Sequence, residues 1–291
     1  MKNKMKKSYL TAMCATLAAL LISVPLRIYQ YFNIIEPQTG FYSKIDASVY
    51  VMYAVLAAAF ICAMFVSRKK NEDDGIRRRS PMFLCVSIIM AIGVIVDSAS
   101  QLIAYFELYS EATGANALSV SEYISAQGGT LLLLQAVFGC LSAVYFFVFG
   151  LTVGFGNSDG SKFRLFALVP VIWCIFRLLY RFKRTISFTN VSDLLLELFM
   201  LVFSLLFFLA YAQVTTKVDG SSVYWKLFAC GLPASLFALV CFIPRFIIVV
   251  TGKSEMLADG YGVCFSDLTL AVFVAYNLIS RARVQTEKLP E

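Results

Sequence analysis

The chain has 291 residues, of which 59% are hydrophobic and only 15% carry a formal charge, and its mean hydropathy is +0.76. This composition excludes a soluble globular domain and is typical of a polytopic membrane protein, here a single transmembrane domain over residues 1–291. The net charge is +7 and the chain has no histidine, which excludes metal sites with His ligands and catalysis by an imidazole base.

Eight apolar stretches are long enough to cross a bilayer. A hydrocarbon core about 30 Å thick requires about 20 helical residues. In chain order the predicted helices are Tyr9–Tyr29, Ser48–Val66, Met82–Phe106, Thr130–Phe155, Leu165–Phe182, Ser192–Val214, Leu227–Val250 and Val263–Ser280. Turn-forming and charged residues occupy the connections between them. The predicted fold is an all-α membrane protein, a bundle of about eight transmembrane helices.

The distribution of Lys and Arg predicts the orientation, because these residues concentrate on the cytoplasmic side. With the N-terminus inside, 17 of the 25 Lys and Arg residues fall in cytoplasmic segments, among them the Arg68–Arg79 loop. The longest outer loop, Glu107–Gly129, has three Glu and no cation. The pattern predicts both termini inside. Since the composition looks bacterial, the expected location is the plasma (inner) membrane. Arg177 and the cations after it are unusual for an outer helix end, which leaves seven spans as an alternative.

A short repeat favours eight spans arranged as four helical hairpins. Three times, an apolar helix ends in an arginine and the next helix begins near an aspartate. The pairs are Arg27 and Asp46, Arg177 and Asp193, and Arg245 and Asp267. The second hairpin departs from this pattern, with Asp97 near the place of the arginine. The hairpins are therefore predicted to be related by parallel repetition.

Seven ionisable residues lie within or at the outer edge of the predicted spans. They are Arg27, Arg177, Arg245, Asp97, Asp193, Glu197 and Asp267. A charge in hydrocarbon costs a few kcal/mol at least, so these side chains are expected to face the bundle interior or the interface. Asp193 and Glu197, four residues apart, share one helix face. Since the inner halves carry only Gln213 and Asn277 as interruptions, an outer vestibule is favoured over a continuous pore.

These residues support two hypotheses. In the first, they line an outward-facing charged cavity that binds a small charged or zwitterionic solute. The three arginines would hold an anionic group. Asp97, Glu197 and Asp267 would hold a cationic group or tune the arginines. The protein would be a secondary transporter or the solute-recognising membrane part of a larger transporter. In the second, it is a non-catalytic membrane scaffold or accessory subunit, whose charge pairs hold the bundle together and whose faces bind partner membrane subunits.

The motif search predicts no enzyme, no cofactor and no metal site. No C-x-x-C pair occurs among the eight cysteines, and no Gly-rich phosphate loop is present. The cations are interfacial rather than grouped for nucleic acid, so the expected surroundings are lipid. Gly150 and Gly154 form a small-x-x-x-small motif, which permits close helix packing within the chain or between subunits.

Overall fold

The computed structural model describes residues 7–36, 41–44, 46–68, 81–114, 119–155, 165–184, 191–216, 223–257 and 262–282. Within these ranges the regular structure is helical, apart from one antiparallel bridge between Ile35 and Tyr42. The helices are α1 (Lys7–Asn33), α2 (Ala47–Ser67), α3 (Pro81–Gly114), α4 (Val120–Ala126), α5 (Gly129–Gly154), α6 (Val169–Arg184), α7 (Val191–Thr216), α8 (Tyr224–Val250) and α9 (Phe265–Ala282). The prediction of an all-α chain is confirmed.

Six of these helices are long and apolar enough to cross a membrane, namely α1, α2, α3, α5, α7 and α8. Each coincides with a predicted span, as a multi-pass membrane protein requires. The two other predicted spans also form helices, but α6 has 16 residues and α9 has 18. Their charged residues lower the mean hydropathy of these short segments, so length and composition alone do not mark them as spans.

The outer loop predicted over Glu107–Gly129 is partly helical. Helix α3 continues beyond the predicted end at Phe106 to Gly114, and α4 lies between α3 and α5. The hydroxyl of Ser119 caps α4 by accepting a hydrogen bond of 3.3 Å from the backbone N–H of Glu122. Such a cap satisfies an N–H group that has no partner within its own helix.

Helices that follow one another, leaving α4 aside, run in opposite directions. Gly150 of α5 lies against Ser87 of α3, whereas Gly139 lies against Ser98, so the two helices are antiparallel. Helix α6 reverses direction again, because its Trp173 lies against Gly139 of α5, whereas its Tyr180 lies against Gly128, just before α5.

The same alternation continues through the last three helices. Glu197, near the start of α7, lies 3.1 Å from Arg245 near the end of α8, whereas Phe207, further along α7, lies against Gly231 near the start of α8. On α9, Thr269 lies against Gly93 of α3, and Phe273 lies 6.2 Å from Phe83.

Tyr9, near the start of α1, stacks on Phe228 near the start of α8, and Arg68, just after the end of α2, lies over Trp225 there. As a result, α1, α3, α6 and α8 run toward one end of the bundle, and α2, α5, α7 and α9 run away from it.

Cations and aromatic rings gather at the opposite end, which we call the basic end. The guanidinium carbon of Arg68, just after α2, lies 5.6 Å from the ring of Trp225 at the start of α8. That of Arg281, at the end of α9, lies 5.8 Å from the ring of Tyr224. Such aromatic and basic residues are typical of a membrane–water interface.

Aromatic side chains fill the bundle on the way to the basic end. Phe146 of α5 lies 5.1 Å from Phe273 of α9 and 5.7 Å from Phe208 of α7, measured between ring centroids. All three side chains are buried. These large rings pack the interior tightly, and the buried charged residues lie at the other end.

Candidate functional site

The seven ionisable residues singled out in the sequence are all buried, at one end of the bundle. Their exposed fractions lie between 0% and 6%, even though they come from six different helices. The three arginines lie toward the ends of α1, α6 and α8, which run toward this end. Asp193 and Asp267 lie in the first turns of α7 and α9, which start there. This placement also suits the helix dipoles, which favour acids at N-termini and cations at C-termini.

Arg27 and Asp193 form the first ion pair. Nη2 of Arg27 lies 2.9 Å from Oδ1 of Asp193, and the same oxygen accepts a short hydrogen bond from the hydroxyl of Tyr31. The other terminal nitrogen of Arg27 donates to Gln30 at 3.1 Å and to the hydroxyl of Tyr42 at 3.2 Å. Tyr31 and Gln30 lie one turn after Arg27 on α1, so the helix itself brings these partners together.

Glu197 is the centre of the cluster. It has no exposed surface and lies 2.7 Å from Nε of Arg181 and 3.1 Å from Nη2 of Arg245. Arg245 also lies 3.7 Å from Asp193. The shared face of Asp193 and Glu197 therefore meets the arginine of α8 across the α7–α8 contact.

Arg177 pairs with Asp267 of α9. Its Nη2 lies 2.7 Å from Oδ1 of Asp267 and 3.9 Å from Glu197, and its Nη1 donates to the hydroxyl of Ser266 at 3.2 Å. Asp267 is the nearer partner because the start of α9 lies within reach of the Arg177 side chain, a relationship between helices that no local pattern encodes.

Asp97 caps a helix instead of pairing with an arginine. Its two carboxylate oxygens accept hydrogen bonds from the backbone N–H groups of Phe265, at 2.9 Å, and Ser266, at 2.7 Å. These groups lie at the start of α9, where backbone N–H groups lack partners within the helix. Burial makes an unsatisfied N–H costly, so a carboxylate from α3 stabilises the beginning of α9.

Arg181 belongs to the cluster and was missed in the sequence. Its position after Arg177 resembled the cationic flank of a span, but its side chain is buried and bonded to Glu197. The spacing of four residues from Arg177 places both on one helix face and was the available signal. The hairpin repeat would place Asp46 with Asp193 and Asp267. Asp46 instead accepts a hydrogen bond of 2.8 Å from the hydroxyl of Ser48 at the start of α2.

Four guanidinium groups thus meet three carboxylates in direct ion pairs: Arg27, Arg177, Arg181 and Arg245 with Asp193, Glu197 and Asp267. The charge of Asp97 is directed at the positive N-terminus of α9. The paired set itself carries one more positive than negative charge. We call these eight side chains the charged cluster.

Within the described residues, no three His, Cys, Asp or Glu side chains lie close enough together to hold a metal ion. All eight cysteines are free.

A comparison of the chain with protein-family models, with curated proteins and with solved structures found no match.

Proposed function

We propose that this protein is a plasma-membrane solute-binding protein that acts as a secondary transporter, or as the solute-recognising membrane part of one. The solute is small and carries an anionic group. The observation that carries this proposal is the convergence of four buried arginines from three helices on three carboxylates, all within the described residues.

The proposed arrangement has eight spans, with both termini inside. Helices α6 and α9 each run opposite to the helix before them in the chain. The end of α9 lies at the basic end, beside the start of α8. The arginines that lower the hydropathy of α6 are buried, whereas Ile175, Leu179 and Phe182 on its other side are exposed. An apolar outer face with charges turned inward suits a short helix within a membrane bundle.

The charged cluster belongs to the outer half in this arrangement. Asp97 lies about 24 Å along α3 from Pro81, at 1.5 Å per residue. A hydrocarbon core is about 30 Å thick, and the cytoplasmic surface is taken at the basic end. A solute from outside would therefore meet the arginines before the aromatic packing around Phe146.

Energetics favour a functional role for so many buried charges. A buried ion pair is often no more stabilising than apolar side chains of the same volume, because both charges lose their hydration. An ionisable residue inside a membrane is accordingly a functional-site hypothesis by default. An anionic solute would take the place of one carboxylate beside an arginine. The new ion pair would then offset the free energy lost when the internal pair opens.

Two prolines support an opening movement of the arginine-bearing helices. Pro25 precedes Arg27 in α1, and Pro244 directly precedes Arg245 in α8. A proline inside a helix removes one backbone hydrogen bond, and kinks occur at such positions. Bending there would move Arg27 and Arg245 relative to α7 while the aromatic interior stays closed.

The test is solute-dependent stabilisation of the purified full-length protein in lipid nanodiscs. We expect the melting temperature to rise with an anionic or zwitterionic solute from a panel that includes succinate, inorganic phosphate, amino acids and polyamines. The variant Arg177→Gln/Asp267→Asn, which removes both charges of one pair, should fold but lose the response. Lys253→Gln is the matched control, because Lys253 lies over the ring of Phe32 outside the charged cluster.

A membrane scaffold is the second candidate, favoured by the complete burial of the cluster. In that case no solute in the panel would shift the melting temperature. The arginines would still be required for stability, and the protein would be recovered with partner subunits from its own membrane.

A further inference from the structure

Three helices carry buried polar groups beside the charged cluster that its ion pairs do not use. The atoms are Oγ of Ser98 on α3, Oε1 of Gln135 on α5 and Nε1 of Trp173 on α6. None of these atoms has a hydrogen-bond partner within the described part of the chain. The residues are only 1%, 4% and 1% exposed. Burying a polar group without a hydrogen-bond partner is unfavourable, so three such groups in one region mark a place where a ligand could bind.

Two of these groups meet at Gly139 of α5. Oγ of Ser98 lies 2.2 Å, and Nε1 of Trp173 lies 3.3 Å, from the place where a Cβ atom of residue 139 would be. The two atoms are therefore at most 5.5 Å apart. One oxygen atom at a normal hydrogen-bond distance from each would bridge them. A side chain at position 139 would displace the hydroxyl of Ser98, which explains the glycine.

Helical spacing extends the polar surface by one turn on each helix. Gln101 lies three residues after Ser98, and Gln135 lies four residues before Gly139, so each pair shares a face. Because α3 and α5 are antiparallel, with Ser98 level with Gly139, Gln101 and Gln135 lie at the same level. Oε1 of Gln101 is also buried without a partner in the described residues.

Arg177 connects this surface to the charged cluster. It follows Trp173 by one helical turn, and its guanidinium carbon lies 5.8 Å from the Trp173 ring. Asp97, the cap of α9, directly precedes Ser98. The polar surface is thus continuous with the cluster, and we call it the α3–α5–α6 site: Ser98, Gln101, Gln135, Gly139, Trp173 and Arg177.

The chemistry of the site has two parts. The indole N–H of Trp173 requires an acceptor, and the positive charge of Arg177 nearby favours a carboxylate in that place. The side-chain carbonyl oxygens of Gln101 and Gln135 require N–H donors, which an ammonium group supplies. A molecule that bears both groups a few ångströms apart satisfies both parts at once.

We infer that the α3–α5–α6 site binds the solute of the proposed function, and that the solute is a zwitterion of the α-amino acid class. Its carboxylate faces Trp173 and Arg177, and its ammonium group faces Gln101 and Gln135. This inference rests on the proposed function and narrows it from anionic solutes in general to amino acids.

The experiment measures binding of the twenty common L-α-amino acids to the full-length protein in nanodiscs by titration calorimetry. For the tightest binder, the matched carboxylate without the amino group and the matched amine without the carboxyl group are then compared. We expect both analogues to bind at least about tenfold more weakly, since each loses charge-assisted hydrogen bonds.

Variants locate the bound amino acid. Gln135→Leu and Trp173→Phe should each weaken binding about tenfold, the effect of one buried hydrogen bond. Ser98→Ala, a smaller change, serves if either of these variants fails to fold. Gln213→Leu is the matched control, because Gln213 lies near the end of α7, toward the basic end, and should leave the affinity unchanged.

The outcomes separate this inference from the proposed function. Binding of succinate or phosphate, but of no amino acid, would overturn the inference and leave an anion-binding function. Equal amino-acid affinity in Gln135→Leu, Trp173→Phe and Ser98→Ala would overturn the assignment of the site. Failure of every solute to bind would overturn both, with ordered water as the partner of the three polar groups.

Discussion

Arg27 and Asp193 are 166 positions apart in the chain, yet their side chains form a hydrogen-bonded ion pair of 2.9 Å between α1 and α7. The pair is almost fully buried, with exposed side-chain fractions of 1% and 4%. It joins the first predicted hairpin to the third. Contacts of this kind hold hairpins together where lipid supplies no hydrophobic driving force between helices.

Breaking this pair from one side should be strongly destabilising. Arg27→Met or Asp193→Leu alone leaves a buried charge uncompensated, and we expect each to lower the free energy of unfolding by about 3–5 kcal/mol. The double variant should recover much of that loss, because it removes one positive and one negative charge together. Unfolding in mixed micelles, monitored by circular dichroism, gives the four free energies of this double-mutant cycle. Additive effects of the two substitutions would show that the residues do not interact.

A second cycle tests the choice of partner by Arg177. The distances of 2.7 Å to Asp267 and 3.9 Å to Glu197 predict stronger coupling with Asp267. Each of the variants Arg177→Ala, Asp267→Ala and Glu197→Ala is measured alone and in pairs. We expect the coupling energy for Arg177 and Asp267 to be the larger by about 1 kcal/mol or more. The reverse order would contradict the arrangement of α6 against α9.

The contact of α3 with α5 depends on glycine. A Cβ atom at Gly154 would lie 3.0 Å from Cβ of Leu84, so a leucine there would push the helices apart. Gly154→Leu should lower the free energy of unfolding by about 1–3 kcal/mol, as overpacking does. The control is Gly262→Leu, since nothing lies within 4 Å of the corresponding Cβ position of Gly262. An unchanged melting temperature for Gly154→Leu would place that face against lipid.

Labelling of single cysteines tests the eight-span arrangement. In a chain without its native cysteines, positions 115 and 187, both outside the described residues, should react with an impermeant reagent in intact cells. A cysteine at the C-terminal position 291, also outside the described residues, should react only after the membrane is opened. Labelling of 115 and 291 but not 187 would mean that α6 does not cross, and seven spans would replace eight.

The sequence by itself determined the helical segments and most members of the charged cluster. Each of the eight predicted spans falls on a helix, because a long apolar run can satisfy its backbone in lipid only by forming one. The positions of Arg27, Arg177 and Arg245 toward helix ends, and of Asp193 and Asp267 at helix starts, are local features. Alternating helix directions then bring these residues to one end of the bundle.

Only the tertiary structure decided which side chains meet. Arg177 pairs with Asp267, Asp97 caps α9, and Arg181 bonds to Glu197, because α9 packs against α3 and α7 lies beside both α6 and α8. The proximity of Ser98, Gly139 and Trp173 likewise depends on the α3–α5–α6 packing. Ion pairing and hydrogen bonding act over a few ångströms, so a partner is selected by the neighbouring helix and not by distance along the chain.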